Sequence, residues 1–132
     1  TPLRKPLSEC RMALVSSAGF SIPGQVPFDK AMKGGDPSFR EIPSGVDVRM
    51  LAEHHRSEVF DHEGLARDPN LAFPIDRARE LVERGRIGSL ASHHLSFMGS
   101  ITAPRRLAQE HAPAAARGLV ADGVDVALLV PV

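Results

Sequence analysis

The segment of residues 124–130 constrains the fold most, because six of its seven residues are apolar. A continuous apolar run of this length is typical of a strand that is buried on both faces of a sheet. Residues 12–15 form a second apolar run, which Ser16, Ser17 and Gly19 follow. Strands covered on both faces belong mainly to parallel sheets, so the two runs together favour an α/β fold.

Helical periodicity separates the strands. Ile75, Ala78 and Val82 recur on one face of a helix that begins at Pro74. A second helical region begins near Pro104, and we expect Pro113 to break or kink it, because proline lacks the backbone N–H that an interior turn needs. After the break, apolar residues between 112 and 120 resume the helical spacing.

The remaining segments are shorter. The pattern predicts a long loop at 19–37, strands at 38–42, 46–51 and 87–91, and a polar loop with one helical turn at 53–70. We therefore predict one α/β domain over 1–132, with a mostly parallel sheet and flanking helices, in a Rossmann-like or flavodoxin-like three-layer arrangement. The last strand ends at Pro131 and Val132, where no covering helix follows. We expect the fold to be incomplete at the C-terminus and the chain to be the N-terminal part of a longer one.

Composition excludes several classes of function. Sixteen basic residues balance sixteen acidic ones, which provides no electrostatic footprint for nucleic acid or for an anionic membrane. The longest apolar runs are far shorter than the ~20 residues that span a bilayer. The single cysteine, Cys10, excludes an internal disulfide and fits a reducing, cytoplasmic compartment. We expect this thiol to be inert.

Histidine is the conspicuous polar enrichment. His54, His55 and His62 lie in one polar loop, while His93 and His94 follow a predicted strand and should point to opposite faces. Two such groups could converge on a metal ion or on a substrate as acid/base groups, but no recognised metal-ligand spacing is present. Ordinary loop histidines are the alternative. Phosphate-loop, dinucleotide-binding and nucleophile-elbow motifs are absent from the sequence.

Asp36 and Arg40 are further candidates for a binding site. Asp36 follows two glycines, whose backbone freedom could place its carboxylate in a site, although a turn-stabilising aspartate before Pro37 is equally consistent. Arg40 could hold a substrate carboxylate, or it could form a surface salt bridge with a neighbour such as Glu41.

Five motifs in order resemble one known family. They are residues 13–19, 35–43, 73–76, 97–99 and 123–129. Together they resemble the selenoprotein B family of glycine, betaine, sarcosine and D-proline reductases, especially the short D-proline reductase subunits. The resemblance covers nearly the whole chain.

The resemblance implies reductive cleavage of a C–N bond in a small amine or amino acid, with a dithiol as electron donor. In that family a partner subunit carries a pyruvoyl group that binds the amine, and a selenocysteine attacks the α-carbon. Selenols suit this step because, like low-pKa thiols, they are ionised and nucleophilic near neutral pH. The resemblance therefore implies a pyruvoyl-bearing partner, an oligomeric assembly and no cofactor or metal within this chain.

The resemblance also bears on the site. The family's selenocysteine or cysteine comes just after the strand that here is 124–130, about where this chain ends, so no catalytic residue is assigned and the chain is expected to be inactive alone. A UGA codon read as a stop, or removal of the remainder, would account for this. Asp36, Arg40 and Asp76 match family motifs and are predicted to line the substrate site, with His55 and His94 as further candidates.

Two other functions stay open. A non-catalytic binding or oligomerisation module would use the apolar flank of the last strand as an interface. A His/Asp metal hydrolase would use the loop histidines as ligands.

Overall fold

The computed structural model describes residues 2–57, 59 and 61–132. The chain is a mixed α/β unit built on an open, mostly parallel sheet. The strands are β1 (Arg11–Ser16), β2 (Phe20–Ser21), β3 (Phe39–Pro43), β4 (Ala52–Glu53), β5 (Ser89–Leu90), β6 (His93–Phe97) and β7 (Val126–Val130). The helices are α1 (His62–Arg67), α2 (Ile75–Glu83) and α3 (Ala112–Ala121). Short 3₁₀ turns cover Leu7–Glu9, Val48–Met50 and Pro69–Leu71.

The first apolar run lies at the centre of the sheet. On one side, β1 pairs in parallel with β7 from Met12 to Ser16. On the other side, it pairs in parallel with β5 near its start and with β6 near its end. The outer strand β3 pairs antiparallel with β6. This confirms the prediction of a mostly parallel sheet, with one antiparallel edge strand.

Two layers of side chains flank the sheet. One face packs on α2 and on the loops around β2 and β4, and the core there includes Met12, Leu14, Phe20, Ile42, Phe73 and Ile75. The other face is covered by α3, which approaches the sheet with small residues. Ala115 of α3 is buried, and Gly118 lies near the side chain of Glu41 in β3. No described helix is long and apolar enough to cross a membrane.

The predicted strand at 46–51 is wrong. The side chain of Asp47 accepts a hydrogen bond from the backbone N–H of Arg49, which starts the 3₁₀ turn Val48–Met50. A short polar side chain that bonds two residues ahead favours a turn over a strand. The alternation of apolar and polar residues in this segment still reflects burial, because Val46 and Val48 both pack against the core.

The last helical region is not broken at Pro113. The helix runs through this residue, and a π-helical turn at Leu107–His111 precedes α3. In that turn the N–H of Ala112 bonds to the carbonyl of Leu107, five residues back. The wider turn lets the helix continue past a residue that has no N–H to donate.

The last strand, β7, lies beside the central strand β1. Among the described residues it pairs only with β1, and Leu128 and Leu129 of β7 are 45% and 67% exposed. The apolar run indicates a strand but not which neighbours it has, so its central position in the complete fold stays a prediction.

Candidate functional site

The carboxyl ends of three parallel strands meet at one edge of the sheet. The N–H of Ser17, just after β1, donates to the carbonyl of Val130 at the end of β7, at 3.2 Å. Ala18 forms an isolated bridge with Met98, just after β6. The Ser17 hydroxyl also accepts a 2.9 Å hydrogen bond from the N–H of Val132. This carboxyl edge is where open α/β sheets hold their ligands.

An apolar groove of about 330 Å³ opens at the carboxyl edge, on the face that α3 covers. Val15, Phe97, Met98, Leu107, Leu129 and Pro131 contribute to its lining. The groove gives the strand ends an apolar wall on one side and offers few polar groups of its own.

His55 reaches the carboxyl edge from the loop after β4. The side chain is buried, and Nδ1 accepts a hydrogen bond from the N–H of Ser57 at 3.2 Å. Its Nε2 lies so close to Gly99 that a Cβ on that residue would collide with it, and the same Cβ would be 3.1 Å from the carbonyl oxygen of Ser17. Burial lowers the pKa of His55, so its imidazole is neutral near neutral pH.

The other loop histidines make separate contacts. Nε2 of His54 lies 2.8 Å from the hydroxyl of Ser21, and burial lowers the pKa of this histidine. His62 is more exposed, and the hydrogen bond between its Nδ1 and Glu53, 2.6 Å long, raises its pKa. A second oxygen of Glu53 accepts from the N–H of His55. Glu53 therefore joins the two histidines through one carboxylate.

Asp36 and Arg40 lie at the same end of the sheet, because β3 begins opposite the end of β6. The guanidinium of Arg40 donates to the carbonyls of Val26, Pro27 and Phe39, and one of its Nη atoms lies 3.7 Å from Asp36. Asp36 accepts from the N–H groups of Asp29 and Ser38 and from the Ser38 hydroxyl. Burial alone would raise the pKa of Asp36, but these hydrogen bonds hold it below its usual value. Both side chains organise the loop at 26–38.

Asp76 lies elsewhere. It accepts hydrogen bonds from the side chains of Asn70 and Arg79, at 2.9 and 2.7 Å. Arg79 also donates to the carbonyl of Ser44, a residue that follows β3 next to the amino end of β6. The structure thus separates Asp76 from the carboxyl edge.

His94 is a core residue, whereas its neighbour His93 is exposed, as the strand alternation predicted. Nδ1 of His94 accepts a hydrogen bond from the N–H of Leu14 at 3.0 Å. The ring of His94 packs edge-on against Phe73, with 6.0 Å between the ring centroids. Burial lowers its pKa to about 4, and the nearby charge of Arg79 adds to the shift. The imidazole fills a gap in the sheet.

The structure thus places His55 against Gly99, and Asp36 in the loop before β3 with Arg40 of that strand, all towards the carboxyl end of the sheet. It leaves His94 and Asp76 outside this end. Their roles in substrate binding stay predictions. Within residues 2–57, 59 and 61–132, no cluster of three or more His, Cys, Asp or Glu side chains could hold a metal ion.

Sequence reasoning missed the contribution of Ser17 and underrated Gly99. Ser17 directly follows a predicted buried strand, and the rule that ligands sit beyond strand ends could have singled it out. Gly99 was recognisable as a glycine after a strand, where a side chain or ligand approaches the backbone closely. Gly99 and His55 are far apart in the sequence, so their contact produces no pattern in the local sequence that could have predicted it.

Comparison with known proteins connects this chain to a family. The family model described as glycine/sarcosine/betaine reductase selenoprotein B matches residues 2–131. D-proline reductase subunit gamma of Acetoanaerobium sticklandii is 36% identical over 129 residues, which cover 98% of this chain and 51% of that protein. Sarcosine reductase complex component B subunit beta of Peptoclostridium acidaminophilum is 29% identical over 133 residues, covering 97% and 29%.

The chain thus spans about half the length of the first of these relatives and less than a third of the second. No solved structure matches it.

Proposed function

This chain belongs to the glycine/sarcosine/betaine reductase selenoprotein B family, and from that premise we propose that it is the N-terminal part of a selenocysteine- or cysteine-dependent reductase subunit. The resemblance inferred from five ordered motifs is confirmed. The proposed reaction is cleavage of a C–N bond in a small amine or amino acid, with a dithiol as electron donor.

The observation that carries the proposal is the convergence at the carboxyl edge. Three strand ends, the buried imidazole of His55 and an apolar groove lie at the position where α/β enzymes act. A nucleophile next to that groove would be poorly hydrated on one side. Neutral His55 lies near enough to the strand ends to accept or return a proton during the reaction.

Selenium or sulfur chemistry must come from a residue outside these 132, because the sequence has no selenocysteine and Cys10 is buried at the opposite, amino end of β1. The family resemblance further implies a pyruvoyl group on a partner subunit, which would activate the amine nitrogen as a leaving group. In this proposal the present chain supplies the frame of the site, the loop that Arg40 and Asp36 hold, and the base at His55.

The assembly is also part of the proposal. Both relatives are named as subunits of reductases, one of them of a complex. We propose that this chain likewise acts in a cytoplasmic, multi-subunit enzyme, and that the complete subunit has a three-layer Rossmann-like arrangement. Alone, the chain would be inactive.

The proposal is tested on the assembled enzyme. The full-length subunit that carries this sequence would be purified with its partner subunits and supplied with a dithiol and with D-proline, glycine, sarcosine or betaine separately. We expect dithiol-dependent reduction of one of these substrates, with one disulfide formed for each C–N bond cleaved. Absence of product with all four substrates would reject this group of activities.

A second candidate function is a non-catalytic binding or oligomerisation module of the same fold. The observation that favours it is the exposed apolar surface of β7 and α3, where Leu129 is 67% and Val120 75% exposed. Open apolar edge strands tend to pair with another chain. Light scattering on the 132-residue chain distinguishes this candidate, since a stable monomer at high concentration would count against it.

A further inference from the structure

A second cavity, of about 340 Å³, lies between the loop at 26–40 and the π-helical turn Leu107–His111. Its lining includes Val26, Asp29, Asp36, Arg40, Arg106 and His111. The volume is near the lower end of the range of about 300–1,000 Å³ for small-molecule pockets. The cavity carries charges of both signs, unlike the apolar groove at the strand ends.

One wall of the cavity is held rigidly. The donors of Arg40 are occupied by three backbone carbonyls, by the Ser38 hydroxyl and by Asp36. Asp36 in turn fixes the backbone of Asp29 through a 3.0 Å hydrogen bond. Arg40 and Asp36 therefore have few polar atoms left for a ligand, but they hold Asp29 in place at the cavity.

Asp29 has an oxygen to offer. Its Oδ1 accepts the N–H of Ala31 at 2.9 Å, whereas its Oδ2 accepts no hydrogen bond from the described part of the chain. Asp29 is an exposed residue that lines the cavity.

Arg106 has donors to offer on the opposite wall. Its guanidinium makes no hydrogen bond to any described residue, and its nearest carboxylate is Glu110, 3.6 Å from Nε. That pair lies on one exposed helix surface, where such pairs are weak. Arg106 and Asp29 form no ion pair with each other. The cavity therefore has one cation whose ion pair is the exposed one with Glu110, and one carboxylate oxygen, Oδ2 of Asp29, that accepts no hydrogen bond from the described residues.

The π-helical turn explains how Arg106 and His111 reach the same cavity. In an α-helix, with 3.6 residues per turn, two residues five apart lie on different faces. The π turn bonds residues five apart and so brings them towards one side. Such turns are frequent at functional sites. Nε2 of His111 is buried and has no hydrogen-bond partner among the residues described, so this ring also has an unused polar atom.

We propose that this cavity binds a small zwitterionic amino acid, with the carboxylate on Arg106 and the ammonium group on Asp29. His111 lines the same cavity. A ligand that carries both charges satisfies both walls, whereas an anion alone would face Asp29 and a cation alone would face Arg106. The identification of this ligand as the substrate rests on the proposed reductase function.

The geometry also predicts selectivity. D-Proline, glycine and sarcosine all carry N–H groups that can donate to Oδ2 of Asp29. Betaine has the same charges but no N–H, so it should bind more weakly. Cyclopentanecarboxylate, which has the ring and carboxylate of proline without the nitrogen, should bind weakest.

The test is calorimetric titration of the full-length subunit with these four ligands and cyclopentanecarboxylate. Arg106→Gln and Asp29→Asn should each weaken amino-acid binding about tenfold, the effect of losing one charged hydrogen bond. Arg105→Gln is the matched control, since Arg105 bonds to Gln109 and does not line the cavity. It should change affinity less than about twofold. Circular dichroism verifies that each variant is folded.

Three results would overturn the inference: wild-type affinity in both Arg106→Gln and Asp29→Asn, equal binding of cyclopentanecarboxylate and proline, or no binding of any amino acid. Its failure is separable from that of the reductase proposal. An assembled enzyme that reduces an amine while Arg106→Gln retains full affinity would contradict only the binding site. Arg106-dependent binding without dithiol-dependent reduction would contradict only the reductase activity.

Discussion

The backbone N–H of Leu14 donates a 3.0 Å hydrogen bond to Nδ1 of His94, a side chain that lies 80 residues further along the chain. The bond fills a gap between β5 and β6, which both pair with β1 on the same side. Because Leu14 is completely buried, its N–H would otherwise have no partner. The imidazole therefore completes the central strand in place of a backbone carbonyl.

This role requires a neutral imidazole, so the stability of the fold should depend on pH. The pKa of His94 falls from 6.5 to about 4 in the folded state. Between these values the unfolded chain binds the proton more tightly, so the contribution of His94 to stability is complete above pH 6.5 and is lost as the pH falls towards 4. The loss should approach about 3 kcal/mol. Chemical denaturation across this range measures it.

The matched controls for this profile are His93→Gln and His94→Phe. His93 is exposed, and its replacement should leave the slope largely unchanged. His94→Phe should remove most of the slope. A smaller slope should remain from His54 and His55, whose pKa values burial also lowers, and it is opposed by His62, whose pKa the hydrogen bond with Glu53 raises. A profile that keeps its full slope in His94→Phe would contradict the assignment.

His94→Phe should also lower the stability at neutral pH. Phenylalanine preserves a ring beside Phe73 but offers no acceptor, which leaves the N–H of Leu14 unsatisfied at a cost of about 1–3 kcal/mol. His93→Phe on the exposed face should change the free energy of unfolding by less than about 0.5 kcal/mol. Urea titrations of both variants test the difference; equal effects would show that the hydrogen bond contributes nothing.

Gly35 should tolerate alanine worse than Gly24. Both glycines have positive φ, at +90° and +88°, so alanine is strained at each by about 1–3 kcal/mol. Only at Gly35 would the new Cβ meet neighbours, 2.7 Å from Cδ1 and 3.2 Å from Cα of Ile101. Gly35→Ala should therefore unfold at lower denaturant than Gly24→Ala. The reverse order would mean that Gly35 does not pack against Ile101.

Arg40→Lys should loosen the loop at 26–38 although it preserves the charge. Lysine cannot reproduce the fork of donors that bonds to the carbonyls of Val26 and Pro27. Amide exchange at Phe28 and Asp29 should accelerate about tenfold, as expected for the loss of one charged hydrogen bond. Arg49→Lys, at an exposed pair with Asp47, is the control and should not change exchange in this loop.

Sequence patterns predicted the strands and helices that depend mainly on the residues within them. The apolar runs of β1 and β7 and the periodicity of α2 were sufficient to place them. The pattern at 46–51 misled, because one side-chain hydrogen bond from Asp47 outweighed the alternation. The π turn before Pro113 was beyond prediction, since a proline indicates a disturbed helix without specifying how the hydrogen bonds are rearranged.

The sequence predicted which end of the sheet holds the candidate site, but not which residues lie there. Ends of parallel strands had to meet, and Asp36 and Arg40 do lie near them. His94 and Asp76 lie elsewhere because their partners, Leu14 and Arg79, depend on the tertiary arrangement. Arg106, Asp29 and His111 had no distinguishing motif; only the folded chain brings them to one cavity.

The most direct test of the central claim compares the two ends of the sheet in the assembled reductase. Ser17→Leu places a bulky side chain at the carboxyl edge, and Ser89→Leu places the same side chain at the exposed start of β5, at the amino edge. The quantity measured is the dithiol-dependent rate of amine reduction. The account predicts that Ser17→Leu lowers this rate at least about tenfold, equivalent to about 1.4 kcal/mol in the barrier, while Ser89→Leu retains it. Equal rates for the two folded variants would contradict a reaction site at the carboxyl edge.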